Sequence, residues 1–512
     1  MFQRTKSISL WALLLFSIQL IQSCSTNPVT GKSELSFYSR SQQIQMGVQN
    51  YTPGQQSQGG VYYLDPALND YVNAVGQKLA EVSDVPDLPY EFVVLNNGVP
   101  NAWALPGGKI AINRGLLTEL EDESELAAVL SHEIVHAAAG HGASQMSRGV
   151  LFGLGTTVAA VAGTQTDYGN LINLGSQVGA AAWSASYGRD DELESDEYGM
   201  LYMSRAGYDV QGAVELQKAF VELSGSAQQD FISGLFASHP PSQSRVNANV
   251  ATARKFPAGG IKNRAAYEKA TSQLRKDQIA YEAESFAIEA LNKKNATEAL
   301  EQLDVAVSIQ PDEGQFWELR GHAWQMKNDN DNALKAFSTA IRKNENYYQH
   351  WLARGLLRKE MGQANAAEQD IQRSHDLLPN SVSAYHLGEL VEARGDISAA
   401  RSYYSQAASA GGALGSEAQT KLIRYDLPES PNKYIASGFF LSTKGELIAA
   451  VENQSGLEVS GIRVRVTSRV NGNSRDYRIR GSLDNGQQAN TNTGIYGQPS
   501  DYNIVVISAA AN

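Results

Sequence analysis

The hydrophobic pattern divides the 512-residue chain into stretches of different period. A short apolar run, Ile8 to Leu15 and on to Ile21, follows Arg4 and Lys6 and is broken only by small residues and Gln19. Phe92-Val93-Val94-Leu95 and Ile110-Ala111-Ile112 then read as strands, with Pro106-Gly107-Gly108 as the turn between them. From Glu125 to His141 strong helix formers run without proline, which predicts a helix. Phe256-Pro257-Ala258-Gly259-Gly260 breaks the pattern. Between 270 and 427 Ala, Leu, Gln, Glu and Arg dominate, as in continuous helices. Leu427-Pro428-Glu429-Ser430-Pro431 is a second break, because proline cannot continue a helix. Beyond it Ile462-Arg463-Val464-Arg465-Val466 alternates apolar and charged, the period of a strand with one buried face. Asn471-Gly472 supplies a hairpin turn before Tyr477 and Ile479. The expectation is a multi-domain α+β protein. Residues 24–260 form a mainly helical domain with a small β-sheet, 270–427 a helical array, and 432–512 an antiparallel β-sandwich. Roughly three domains also suit this length at about 150 residues each.

The helical middle repeats. Ala299, Ala333 and Ala367 are 34 residues apart, as are Ala306, Ala340 and Ser374, Trp317 and Trp351, and Gly321 and Gly355. Gly388 and Ala400 continue the series at a spacing of 33. The period resembles the tetratricopeptide repeat, whose small residues let paired helices cross closely in an α-solenoid. The resemblance implies a groove that takes peptides or partner proteins.

Composition narrows the class. Hydrophobic residues make up 42% and charged residues 19%, with 45 Gly and 15 Pro, which excludes a disordered or collagen-like chain. Asp and Glu outnumber Lys and Arg by 54 to 42, a net charge of -12 that disfavours nucleic acid as a partner. Cys24 is the one cysteine, so neither an intramolecular disulfide nor a cysteine-based zinc cluster is available. The apolar run before it is too short to span a bilayer and reads as a signal peptide, residues 1–23. Ile21-Gln22-Ser23-Cys24 resembles a bacterial lipobox. That resemblance implies lipidation at Cys24 and, with Ser25 following, a periplasmic protein anchored to the outer membrane. Membrane contact is expected only through that anchor.

The candidate chemistry is concentrated in His132-Glu133-Ile134-Val135-His136. On a helix, residues four apart share a face, so both imidazoles can reach one ion. Glu133 is then placed to act as general base toward a water at that ion, the zincin arrangement. A catalytic zinc needs a third protein ligand and an open position. Glu192 and Asp196, four apart in an acidic run, offer one carboxylate to bind and one to orient a ligating histidine; a solvated acidic face is the other reading of this run.

Three segments together resemble a family of gluzincin metallopeptidases that includes the HtpX-type proteases and the CaaX prenyl endopeptidases. They are His132-Glu133-x-x-His136, Arg189-x-x-Glu192-x-Glu194-x-Asp196 and His239-Pro240-x-x-x-x-Arg245. Asn101 to Gly108 and Ile112 to Leu116 match the family's segment before the metal helix. The order of signal, peptidase and repeats is similar to the family's periplasmic branch. The resemblance implies one Zn2+ per chain, bound by His132, His136 and Glu192, with Glu133 as base and Asp196 as orienting partner. It also implies that His239 approaches the zinc, to block it or to steady the transition state. Ser195 and Gly188 depart from the alanine and serine usual there.

Other segments leave two readings each. The strands before the metal helix present either an edge that pairs with an extended peptide or a covered hairpin. Val150 to Gly163 is either a buried helix or a lid. The C-terminal β region either binds a partner or caps the repeats. The expected function is a zinc endopeptidase of the bacterial envelope acting on unfolded or misassembled proteins, the repeats binding substrate or outer-membrane assembly machinery. The alternative is a chaperone or scaffold with a latent or structural zinc site.

Overall fold

The computed structural model describes residues 24–158, 187–224 and 239–512. The signal segment, and the part of the 150–163 run beyond Val158, lie outside the described residues. The chain divides into two compact units at Arg354/Gly355.

The first unit opens with a hairpin of β1 (Cys24–Thr26) and β2 (Ser33–Leu35). Helices α1 (Arg40–Ser57) and α2 (Pro66–Ala80) follow. In α2 the Asp65 side chain caps Leu68 N, Pro66 takes the first turn, and Leu68, Val72, Val75 and Leu79 make one buried face. The sheet has the order β3-β5-β4, from β3 (Glu91–Leu95), β4 (Ala102–Leu105) and β5 (Lys109–Asn113). β3 runs parallel to β5, and β4 antiparallel to it across the turn at 106–108, where Gly107 and Gly108 both have positive φ. All five residues of β5 are buried; Lys109 is kept there by an ion pair with Glu91 and by Pro89 O at 3.2 Å.

After the short α3 (Arg114–Glu119) comes α4 (Glu123–Ala139), in which every residue but His132 is buried. Asp122 caps it by accepting from Ser124 N and Glu125 N, and Gly140 ends it at φ 75°. Helix α5 (His141–Val158) turns away from that point. Helix α6 (Arg189–Arg205) packs on α4 so closely that a Cβ on Gly199 would lie 3.2 Å from Ser131 Oγ. Helix α7 (Gln211–Ser224) packs on α4, and α8 (Gln243–Ala253) packs on α6 and α7.

The buried core does not stop at the Pro-Gly break. One cluster runs from Val29 to Phe316, through the short α9 (Arg264–Ala270) and α10 (Ser272–Lys276) into α11 (Gln278–Asn292), α12 (Ala296–Ile309) and α13 (Gly314–Met326). Tyr267 is fully buried and donates to Leu117 O at 2.6 Å. Arg114, 4% exposed, lies 3.3 Å from the centroid of the Tyr281 ring and pairs with Glu284 at 3.4 Å. Asn96 donates to Glu313, and Gln56 donates to Asn346 O while accepting from Tyr348 N. The first repeats are thus packed into the same body as the sheet and α4.

The helix pairs continue with α14 (Asn330–Lys343), α15 (Tyr348–Glu360), within which the division falls, α16 (Ala364–Leu377), α17 (Ser381–Ala393) and α18 (Ile397–Ala410). Ala299, Ala333, Ala367 and Ala400 are all 0% exposed. A Cβ on Gly321 would collide with the Phe337 ring, and on Gly388 it would lie 2.7 Å from Tyr404 Cε1. Trp317 and Trp351 make equivalent bonds, their Nε1 donating to Pro311 O and Glu345 O. The tight turn inside each pair uses a positive φ at Lys294, Asn328, Gly362 and Gly395.

In the second unit α19 (Gly412–Glu429) continues one residue past Pro428 before the chain turns into strands. These are β6 (Ile435–Leu441), β7 (Glu446–Asn453), β8 (Val459–Ser468), β9 (Ser474–Arg478), β10 (Gln488–Tyr496) and β11 (Tyr502–Ala511). They form two antiparallel three-stranded sheets, β10-β7-β6 and β11-β8-β9. Ala449 and Val451 of one sheet and Ile462, Val464 and Val506 of the other share one buried cluster with Leu427 of α19. The period-two segment 462–466 buries Ile462, Val464 and Val466 and exposes the arginines between them.

Candidate metal centre

Helix α4 presents His132 and His136 one turn apart, with their Nε2 atoms 3.0 Å from each other. Helix α6 brings Glu192 and Asp196, also one turn apart, against them. Glu192 lies 3.5 Å from His132 Nε2 and 3.4 Å from His136 Nε2. Asp196 Oδ1 accepts from His132 Nδ1 at 3.0 Å. His239 stands over the same point, its Nδ1 3.0 Å from Glu192 Oε1 and 3.3 Å from His132 Nε2. His239 Nε2 is 3.4 Å from Glu133 Oε1. Ligand atoms of His132, His136, Glu192 and His239 all fall within 4.8 Å of one another. All six residues expected from the sequence therefore meet in one place.

The electrostatics favour a cation there. Burial would drive His132 toward neutrality, but the Glu192 charge and the Asp196 hydrogen bond outweigh it and raise its pKa to about 10. Burial holds His136 well below the ordinary imidazole value. Glu192 stays far below the usual carboxylate range, since the His239 and His132 charges overcome its burial. Asp196 is lowered in the same way, burial being overcome by Arg245 and His132. Burial raises the Glu133 carboxyl, and its Oε2 has no hydrogen-bond partner among the described residues. Two imidazoles whose Nδ1 atoms carry the hydrogens would turn both Nε2 lone pairs into this space. Two imidazoles and a carboxylate are also zinc donors, so the residues fit the ion the motif implies.

Four contributors had no assigned role in the sequence reading. Arg245 Nε and NH2 donate to Asp196 at 2.8 and 2.7 Å, and its NH1 lies 2.7 Å from Glu192 Oε2. Tyr187 stacks on His136 with ring centroids 3.8 Å apart. His141 and Glu194 continue outward from His136. Arg245 and Glu194 lie in the motif segments and His141 at the end of the histidine helix run, but no local spacing links them to the histidine pair; Tyr187 carries no signal. Ser195 is fully buried beside the site, and Gly188 caps α6, its N–H donating to Asp191. An apolar cavity lined by Leu116, Met203, Leu216 and Phe220 adjoins His132 and Glu133.

A histidine pair one turn apart on a helix, a carboxylate from a second helix and an adjacent glutamate define a metallopeptidase domain of the HExxH class. Residues 66–253 match the family model described as peptidase family M48. The beta-barrel assembly-enhancing protease of Escherichia coli (strain K12) is 31% identical over 196 residues, 37% of this chain and 39% of that protein. The putative beta-barrel assembly-enhancing protease of Vibrio cholerae serotype O1 is 27% identical over 199 residues, 38% of this chain and 40% of the relative. Metalloprotease YcaL of Escherichia coli (strain K12) is 28% identical over 177 residues, 33% of this chain and 67% of that protein. The chain spans about two fifths of the length of the first two relatives. Among the described residues no helix is long and apolar enough to cross a membrane.

Proposed function

We propose that the chain is a zinc endopeptidase of the bacterial cell envelope that degrades misfolded or misassembled periplasmic and outer-membrane proteins. The observation that carries this reading is the convergence of His132, His136 and Glu192 beside the Glu133 carboxyl, whose Oε2 has no partner among the described residues. In it, those three residues hold one zinc, which when bound supplies the Lewis acidity that polarises the scissile carbonyl. Glu133 takes a proton from the attacking water and returns it to the departing amine, a role suited to a carboxyl whose pKa burial has raised. Asp196, gripped by Arg245, keeps the His132 hydrogen on Nδ1. The apolar cavity takes a hydrophobic side chain next to the scissile bond. An extended substrate adds to the outer strand β4, whose Ala102 lines that cavity. The helix pairs bind substrate or the outer-membrane assembly machinery, and Cys24 carries a lipid anchor that keeps the protein on the periplasmic side of the outer membrane.

One feature favours a second reading. His239 sits among the ligands, and a zinc with four protein donors is a closed site. In this form the protein is latent, or a chaperone or scaffold with structural zinc. Casein hydrolysis by zinc-verified wild type, Glu133→Gln and His239→Ala separates the two. Cleavage lost in Glu133→Gln with zinc retained is the expected result. Activity confined to His239→Ala means a latent peptidase; none in any variant, with zinc bound, leaves the scaffold. Glu192→Ala is expected to lose zinc, and full occupancy in that variant would remove Glu192 from the ligand set.

A further inference from the structure

His132 and His136 are supported differently on the side away from their converging nitrogens. His132 Nδ1 reaches a carboxylate directly. His136 Nδ1 instead lies 3.0 Å from His141 Nδ1, and His141 Nε2 lies 3.2 Å from Glu194 Oε1. Glu194 Oε1 also accepts from Asn27 Nδ2 at 2.8 Å. The same amide nitrogen donates to Glu34 Oε1 at 2.7 Å, and Glu34 Oε2 accepts from Ser144 Oγ at 3.1 Å. His141 and Asn27 are 1% and 2% exposed. Asn27 Oδ1 is occupied by the N–H groups of Val29 and Thr30.

We propose that His141, Glu194 and Asn27 form a hydrogen-bonded relay that fixes the orientation and tautomer of His136 as a zinc ligand. The inference rests on the zinc reading above. A His136 that ligates through Nε2 carries its hydrogen on Nδ1 and donates it to His141 Nδ1. His141, accepting at Nδ1, then has its hydrogen on Nε2, where Glu194 accepts it. Asn27 has two amide hydrogens, and each meets one carboxylate. Every group in the chain is satisfied by this assignment. A ligating histidine ordinarily donates its second N–H straight to a carboxylate or carbonyl. Here a second imidazole is interposed because α4 ends at the left-handed Gly140 and His141 begins the next helix.

Glu34, His141 and Glu194 also have ligand atoms within 4.8 Å of one another, so the relay must be distinguished from a second metal site. Both nitrogens of His141 are already engaged, which favours the relay; the two differ in stoichiometry.

Zinc affinity of the full chain by chelator competition, with the visible spectrum of the cobalt(II)-substituted protein, reads the relay without relying on hydrolysis. His141→Phe keeps a ring and removes both nitrogens; zinc binding is expected to weaken about 10–100-fold, with a changed cobalt spectrum. His141→Gln, which can accept from His136 and donate to Glu194, should recover part of the loss. Glu194→Ala, at a half-buried position on an otherwise intact helix, should weaken binding even if His141→Phe fails to fold. Wild-type affinity and spectrum in Glu194→Ala and in any folded His141→Phe would overturn the relay and leave the zinc reading standing. Wild type that takes up no zinc would overturn both. A second zinc equivalent, lost in Glu34→Gln, would make His141 a ligand and overturn the relay alone.

Discussion

Arg114 and Arg245 are guanidinium groups 4% and 3% exposed, yet they leave their carboxylate partners in opposite states. Arg245 makes two charge-assisted bonds to Asp196, enough to hold that carboxyl below its ordinary range despite burial. Arg114 spends its Nε on Asn96 and its face on Tyr281, and meets Glu284 only at 3.4 Å. Burial therefore wins at Glu284, over the Arg114 charge, and its pKa rises to about 7. The folded protein then keeps a proton there that the unfolded chain releases near 4.5. The associated stability is present below about 4.5 and is lost as pH rises through about 7, a cost of order 3 kcal/mol at most. Glu284→Gln should thus gain in melting temperature over wild type as pH goes from 5 to 8. A difference that is flat or shrinks across that range, by circular dichroism, would show the carboxyl to be ionised throughout. At this scale the histidine pair was legible because its spacing is local. The support from Arg245, His141 and Tyr187 was not, since it depends on how α4, α6 and α8 dock.

The repeat is the element most openly written in the sequence. Small residues recur because the crossing helices leave no room for a Cβ, and the period of 34 follows from helix length plus turn. The same period governs something composition hides: the intra-pair turns at Lys294, Asn328, Gly362 and Gly395 all take a positive φ, with glycine at only two of them. Gly321→Ala and Gly388→Ala should each destabilise by about 1–3 kcal/mol, as overpacking does, without altering zinc content. Denaturant midpoints within experimental error of wild type would mean that the pairs can part to admit a methyl group. Strand β4 was harder to read. Ala102–Leu105 is too short and too alanine-rich to show a period, and it is a strand because β5 pairs with it.

For the whole molecule, proline and glycine marked where the backbone turns, not where packing ends. The break at 256–260 lies inside one continuous core, and the division between compact units falls about a hundred residues later. A chain ending at 262 would strip Tyr267, Leu274, Tyr281 and Phe316 from that core. At about 1.5–3 kcal/mol for each large side chain, the loss rivals the stability of an ordinary domain. Residues 24–354 should therefore melt cooperatively, while 24–262 should be unfolded or aggregate; equal melting temperatures would show the peptidase region to be self-sufficient. The amino-terminal hairpin has a geometric consequence of its own. Asn27 is pinned to Glu194, and it is the third residue after Cys24, about 10 Å of extended chain. In the proposed lipidated form this is a mooring rather than a tether. Its working radius would be a thin layer of fluid against the bilayer, and a client folded clear of that layer would escape it whatever its sequence.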